Sequence, residues 1–197
     1  MLAMTLSDSK VQRRAEARAV LQAIPKNSRA AQASQVVDGV RATTEWRKCR
    51  QPLLFIPLHD EIDVSPLISV GLSEGKRVCL PAFDSATGVY FVREVCDLKK
   101  DLVPGKFQIS EPGAHCQRVP VGELDFLLVP GLAFDPSGGR LGRGKGFYDR
   151  LLVLASGTIW GVGFIEQVVS TLPCEAHDQK LHGVFTAVGL QTGSRSK

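Results

Sequence analysis

The chain has 197 residues, 44% hydrophobic and 22% charged, the balance of a soluble globular protein rather than a disordered or membrane-embedded one. At this length one domain can bury about 70% of its unfolded surface, so a single domain over residues 1–197 is expected, with 192–197 as a disordered tail. The formal net charge of +4 suits anionic ligands such as nucleotides but is too diffuse to argue for nucleic acid.

The cysteines Cys49, Cys79, Cys96, Cys116 and Cys174 are odd in number and form no C-x-x-C pair. That pattern points to reduced thiols in a cytosol and away from structural zinc. Residues 1–10 lack the basic and apolar blocks of a signal peptide, and no apolar run reaches membrane-spanning length. A cytoplasmic protein with no membrane partner is the expectation.

In chain order, Ser7 or Asp8 can cap a first helix whose apolar face carries Ala17, Val20, Leu21 and Ile24. Lys10 and Arg14 lie one turn apart on another face, continued by Arg18, and by composition this is a solvated basic stripe. Pro25, Asn27 and Ser28 break the chain before a second helix with Ala33, Val36, Val37 and Val40 as its buried stripe. Leu53 to Leu58 reads as a strand, followed by the acids Asp60, Glu61 and Asp63. Acids at a strand-to-helix turn are ordinarily a solvated cap. Ser65-Pro66 opens a third helix that Gly75 ends, and Val78 to Leu80 is the next strand.

Phe83 to Gly88 is a loop or hairpin turn, Val89 to Val95 a further strand, and Glu111 to Gln117 a connecting loop. The apolar run Phe126 to Val129 is a strand covered on both faces, stopped by Pro130-Gly131. A helix begins at Phe147 and Tyr148 and carries Leu151, Leu152 and Leu154. Ile159 to Phe164 is a glycine-interrupted strand, residues 173–178 a polar loop, and Val184 to Leu190 the final strand. Strands alternating with helices at this spacing predict an α/β fold, a largely parallel sheet with helices on both faces. Ligands of such sheets sit at the carboxyl ends of strands, where Glu61 and the loop after Val129 both fall.

That loop carries the strongest chemical signal. Arg140, Gly142, Arg143, Gly144, Lys145 and Gly146 place three glycines and three cations within seven residues, directly before a helix. Glycine lets backbone N–H groups approach an anion closely, and a helix N-terminus adds partial positive charge. Phosphate is the ligand such a loop would take, although a plain flexible loop with surface cations has the same composition. The common nucleotide motifs fail on detail. Gly146 stands where a P-loop needs Ser or Thr, and Gly142, Gly144 and Gly146 are not spaced as G-x-G-x-x-G.

Val129-Pro130-Gly131, Phe134-Asp135 and the run Arg140-Leu141-Gly142-Arg143-Gly144-Lys145-Gly146-Phe147-Tyr148-Asp149 closely resemble the signature of the 5-formyltetrahydrofolate cyclo-ligase (methenyltetrahydrofolate synthetase) family. Asp101 to Phe107 with Ser110-Glu111-Pro112 resembles a second block of that family, and the resemblance extends from Lys10 to Leu190. Phe147 replaces the usual Tyr, Val64 a usual Thr and His182 a common Asp, while Gln108 stands where bacterial members mostly have Gly.

The resemblance implies an enzyme that uses ATP and Mg²⁺ to close 5-formyltetrahydrofolate to 5,10-methenyltetrahydrofolate. It assigns Lys10, Arg14 and residues Arg140, Leu141, Gly142, Arg143, Gly144, Lys145, Gly146, Phe147 and Tyr148 to ATP, with Arg143 and Lys145 as catalytic cations. Ile56, Glu61 and Phe107 fall on the folate side, together with Arg143, Gly144, Lys145, Gly146 and Phe147, and Glu61 would hold the reduced pterin. A carboxylate suits that task because it accepts paired N–H bonds. Asp149 and Asp178 would hold the magnesium. The expected partner is a small molecule, the folate with or without its polyglutamate tail, and the protein a monomer. A nucleotide-binding paralogue without the ligase step and a non-catalytic anion- or RNA-binding module are the other classes. Loss of Glu61 would mark the first and exposed aromatics among cations the second.

Overall fold

The computed structural model describes residues 6–105, 109–173 and 179–192, with side chains from Lys10 onward. Helices α1 (Leu6–Ala23), α2 (Lys26–Ala42) and α3 (Thr44–Lys48) lead into strand β1 (Pro52–Leu53). Then come α4 (Ser65–Ser73), the hairpin β2 (Cys79–Asp84) and β3 (Val89–Glu94), α5 (Leu98–Asp101), the ribbon β4 (Leu102–Pro104) and β5 (Ser110–Pro112), and β6 (Arg118–Val119). The rest comprises β7 (Phe126–Val129), β8 (Ala133–Phe134), β9 (Arg140–Leu141), α6 (Phe147–Leu152), β10 (Thr158–Val162), β11 (Gly183–Thr186) and β12 (Gly189–Gln191).

The main sheet has eight strands in the order β12-β11-β10-β7-β1-β2-β3-β6. Its middle, β11 through β2, pairs in parallel, and antiparallel strands close both edges. This is the largely parallel α/β sheet that the alternation of elements predicts. Strand periodicity divides the core. Phe126 and Leu128 face a cluster with Leu21 of α1, Val36 and Val40 of α2, Trp46 of α3 and Leu67 of α4. Leu127 and Val129 face the other way, toward Leu151 and Leu152 of α6. Both sides are covered, which is why β7 reads as an unbroken apolar run. The chain crosses from one side of β1 to the other between β2 and β7, and the switch point of an open sheet is where a crevice forms.

Several elements differ from their sequence reading, each for a physical reason. Of the expected strand 53–58 only Leu53 lies in β1, with Pro52 before it, because the chain then leaves the sheet toward the acidic turn. The final strand is a hairpin, turning at 187–188 between β11 and β12. Helix α6 stops at Leu152, and α3, capped by Thr43 Oγ1 accepting from Trp46 N–H at 3.2 Å, was not foreseen. The segment Glu111 to Gln117 is not all connecting loop, since Glu111 pairs with Val103 in the β4–β5 ribbon.

The largest correction is in α1. Lys10 and Arg14 do not lie on a separate solvated face. Lys10 is buried and Arg14 half-buried, on the same inward stripe as Ala17 and Leu21, while Arg18 and Val20 are exposed. The spacing 10, 14, 17, 21 is itself a helical face, and its first two members are cations because that end of α1 meets a polar loop. The Ser7 and Asp8 side chains and residues 193–197 lie outside the described residues.

Candidate active site

The loop after β7 is held by residues that do not touch a ligand. The Phe134 ring is fully buried in a hole bounded by Gly131, Gly161 and Gly163, where any Cβ would fall 2.5–3.0 Å from the ring. The neighbouring Asp135 carboxylate accepts N–H bonds from Ser137 at 2.8 Å, Gly139 at 3.0 Å and Leu172 at 2.9 Å. It closes the turn and ties it to the strand-free segment ahead of residues 174–178. The β8–β9 ribbon then returns the chain to Arg140 at the mouth of the sheet. Gly144 (φ +95°) and Gly146 (φ +63°) adopt left-handed conformations that a side chain would strain, and Gly146 delivers the chain into α6.

The cations of this loop have different fates. Arg140 is nearly enclosed, with 5% of its side chain exposed. Its guanidinium donates to Asp149 Oδ1 and to the Pro130 carbonyl at 3.2 Å, and lies 5.6 Å from the Tyr148 ring centroid. Its Nε is buried with no hydrogen-bond partner among the described residues. Arg143 reaches across to the acidic turn, where it donates to Asp60 at 2.5 Å and to Glu61 Oε1 at 3.3 Å. Lys145 is exposed at the cleft edge, with no partner among the described residues. Arg14 donates its Nε to the Gly142 carbonyl at 3.1 Å, so α1 is pinned to the loop from outside the cleft.

The acids of the turn after β1 divide their labour. Asp63 Oδ1 accepts from Ser65 N–H at 2.9 Å and from its hydroxyl at 2.6 Å, the helix-entry role that a solvated acid would play. Glu61 is not such an acid, because only 8% of its side chain is exposed. Its Oε2 accepts from Leu58 N–H at 3.0 Å. Burial raises the Glu61 carboxyl above the ordinary glutamate range, against the lowering effects of the Leu58 N–H and of Arg143. Val64, in place of the family Thr, is buried in the core.

Between turn and loop lies a cleft of about 350 Å³, the size of small-molecule sites, opening at the carboxyl ends of β1 and β7. Ile56 and Glu61 line one side; Arg140, Gly142, Arg143, Lys145, Gly146 and Asp149 line the other. Phe147 and Tyr148 project from α6 into its floor, where Phe147 meets Phe83 at 5.4 Å and Tyr90 at 4.9 Å in edge contacts. Burial pushes the Tyr90 phenol up to about 12, helped by the charges of Glu111 and Glu61, and burial raises Tyr148 as well. Both phenols therefore remain neutral donors at physiological pH. Leu141 and Gly144 are not in the cleft wall, and the Leu141 side chain packs instead with Ala133 and Leu172.

Phe107, Gln108, His177 and Asp178 lie outside the described residues. Asp149 offers a carboxylate whose Oδ2 has no hydrogen bond among the described residues, a donor that fits a magnesium ion completed by phosphate oxygens. His182 accepts Ile159 N–H on Nδ1 at 3.0 Å, which gives that departure a place in the sheet rather than in the cleft. Sequence reasoning missed Asp60, Phe83, Tyr90 and Glu111. Asp60 was visible as the acid beside Glu61 and Glu111 as part of the block Ser110-Glu111-Pro112, with no site role attached to either. Phe83 and Tyr90 come from the β2–β3 hairpin, which carries no local motif. Away from the cleft, Asp101, His115 and Cys116 bring ligand-type atoms within 4.8 Å of one another. Asp101 there also accepts the Cys96 and Asp97 N–H groups, at 2.6 and 2.8 Å.

Residues 6–187 match the sequence model of the 5-formyltetrahydrofolate cyclo-ligase family. The Haemophilus influenzae protein named 5-formyltetrahydrofolate cyclo-ligase is 32% identical over 88% of this chain and 97% of its own length. The mouse protein of the same name is 28% identical over 94% of this chain and 97% of its own length. Among solved structures, 5,10-methenyltetrahydrofolate synthetase of Aquifex aeolicus superposes with a TM-score of 0.83 at 29% identity, covering 95% of this chain and 94% of that one.

Proposed function

The chain belongs to the 5-formyltetrahydrofolate cyclo-ligase family, and from that premise we propose that it converts 5-formyltetrahydrofolate and ATP to 5,10-methenyltetrahydrofolate, ADP and phosphate. The observation that carries this reading is Arg143. Its guanidinium links the glycine and cation loop to Glu61 at 3.3 Å, so an anion site and a buried carboxylate share one cleft.

The chemistry explains why such a cleft suffices. A formyl amide is a poor electrophile and its oxygen a poor leaving group. In the proposed sequence the formyl oxygen attacks the γ-phosphorus and ADP departs. N10 then attacks the formyl carbon and loses its proton, and phosphate leaves with the electrons of the C–O bond. No enzyme nucleophile is required; the work is alignment and neutralisation of migrating charge. Lys145, exposed at the cleft edge, and Arg143 would neutralise the phosphoryl oxygens, and the backbone N–H groups around Gly142 and Gly146 would cradle them, with Gly144 shaping the loop between. Arg14 supports that loop through the Gly142 carbonyl, with Lys10 one turn before it.

On the folate side, Glu61 would accept N–H bonds from the pterin while Ile56 and Phe147 pack its ring. Asp149 would hold Mg²⁺, with Asp178 as the second expected ligand. When bound, the metal would supply positive charge that neutralises the phosphate oxygens. The reading is of a cytoplasmic monomer acting on folate with or without its glutamate tail.

Purified protein given ATP, Mg²⁺ and 5-formyltetrahydrofolate should develop the absorbance of the methenyl product with one ADP per turnover. Nucleotide binding without that absorbance, across pH and divalent metals, would assign the chain to a nucleotide-binding paralogue instead.

A further inference from the structure

Glu111 lies on β5, outside the main sheet, and stands in the wall of the same cleft as Glu61. It is 9% exposed. Its Oε2 accepts the Phe83 N–H at 2.9 Å, which joins the β4–β5 ribbon to β2. Its Oε1 is closed off from water and has no hydrogen-bond partner among the described residues. No cation among the described residues pairs with it either, whereas Glu61 has Arg143. A carboxylate oxygen kept from water without a donor is costly, and such groups are otherwise almost always satisfied. Glu61, Glu111 and Tyr90 all line the cleft, and both carboxylate charges act on the Tyr90 phenol.

We propose that Glu111 is a second substrate-binding carboxylate, accepting N–H bonds from the reduced pterin alongside Glu61. This rests on the folate reading given above. A reduced pterin presents an exocyclic amino group and ring N–H groups, more donors than one carboxylate can take in a single plane. Glu61 supplies one pair of acceptors with a cation behind it. Glu111 supplies an acceptor with none, and neutral N–H donors suit it. The last torsion of a glutamate is soft, so a ligand approaching from the cleft meets the unused oxygen after a small rotation.

Glu111→Gln separates binding from a merely structural role. The amide oxygen can still accept the Phe83 N–H, so the ribbon stays attached, while the unused acceptor becomes a donor. The KM for 5-formyltetrahydrofolate should rise by at least about tenfold, with the KM for ATP and the melting temperature unchanged. Folate KM equal to wild type overturns the proposal. So does a parallel loss of folate, ATP and thermal stability, which would make Glu111 a structural tie. Glu111→Asp, which withdraws both oxygens and so also gives up the Phe83 N–H, is the control for the structural tie, and its melting temperature should fall. Should the amide variant also melt early, direct folate and ATP titration below its melting temperature reads the same split. Wild type is titrated first. Failure of wild type to bind the folate removes the folate reading and this inference with it, an outcome distinct from failure of the variant alone.

Discussion

The two sides of the cleft are built by opposite strategies. The proposed phosphate side is one contiguous stretch, residues 140–149, with left-handed glycines and an exposed Lys145. The proposed folate side is gathered from the turn after β1, the β2–β3 hairpin, β5 and the start of α6, and its two carboxylates are nearly sealed from water. An anion can be held by successive backbone N–H groups, so a short arc of chain suffices. A flat heterocycle must be met on an edge and a face together, which only side chains converging from several elements can do. The exposed half is therefore expected to act through charge on a moving phosphoryl group, and the buried half through desolvated hydrogen bonds on a stationary ring.

The widest separation should come from Glu61→Gln. The amide keeps the shape but turns one charged acceptor into a donor facing a donor, in a site where water cannot substitute. Folate affinity should fall by about 2–4 kcal/mol, while ATP affinity is nearly unchanged. Calorimetric titration of each ligand into both proteins checks this. Equal loss of both ligands would show that the two sides are one electrostatic unit, joined through Arg143.

A smaller and complementary effect is expected on the exposed side. Lys145→Met keeps side-chain length and removes the charge. A charge-assisted hydrogen bond is worth about 1.5–3 kcal/mol, so turnover should fall at least about tenfold. The melting temperature should hardly move, because an exposed cation adds little to folding. Wild-type turnover in steady-state assays would reduce Lys145 to a surface cation.

The same contrast explains what was legible in the sequence. The loop was readable because its chemistry is local: Gly142, Gly144 and Gly146 among Arg140, Arg143 and Lys145 imply an anion whatever the fold around them. The parallel sheet was readable because β7, buried on both faces, must be continuously apolar. Tyr90 was not readable, since nothing near it says that β3 will meet the cleft. Glu111 was readable only as part of the block Ser110-Glu111-Pro112, which does not say that its carboxylate enters the cleft wall. By composition alone Lys10 and Arg14 form a solvated stripe, and the family resemblance alone draws them to the nucleotide. That they face inward is set by packing of α1 on the loop, where Arg14 meets the Gly142 carbonyl. Glu61 could be placed near the site by its position after a strand. Its burial, which separates it from Asp63 two residues on, is a tertiary fact.

That burial gives the last test, through pH. Desolvation raises the Glu61 carboxyl despite the Leu58 N–H and Arg143, so Glu61 takes up its proton above the ordinary glutamate value of about 4.3. Two consequences run in opposite directions. Pterin N–H groups need the ionised carboxylate, so folate affinity should decline as pH falls through the raised value. Folding behaves otherwise, because the folded chain binds this proton more tightly than the unfolded chain does. The contribution of Glu61 to stability is therefore full below the unfolded value and lost as pH rises through the folded one. Between the two values, acidification should weaken folate binding while this group's term favours the fold. Tyr90, at about 12, and the raised Tyr148 stay protonated throughout and add nothing to either trend. Glu61→Gln removes both. Its folate affinity should be low but lack the acid-side decline, and its stability relative to wild type should rise as pH increases across that window. Folate titrations and thermal melts of both proteins at stepped pH read the two trends separately. Acid-side profiles that coincide for wild type and variant would mean that Glu61 does not titrate there, and that the folate side owes its acid sensitivity to another group.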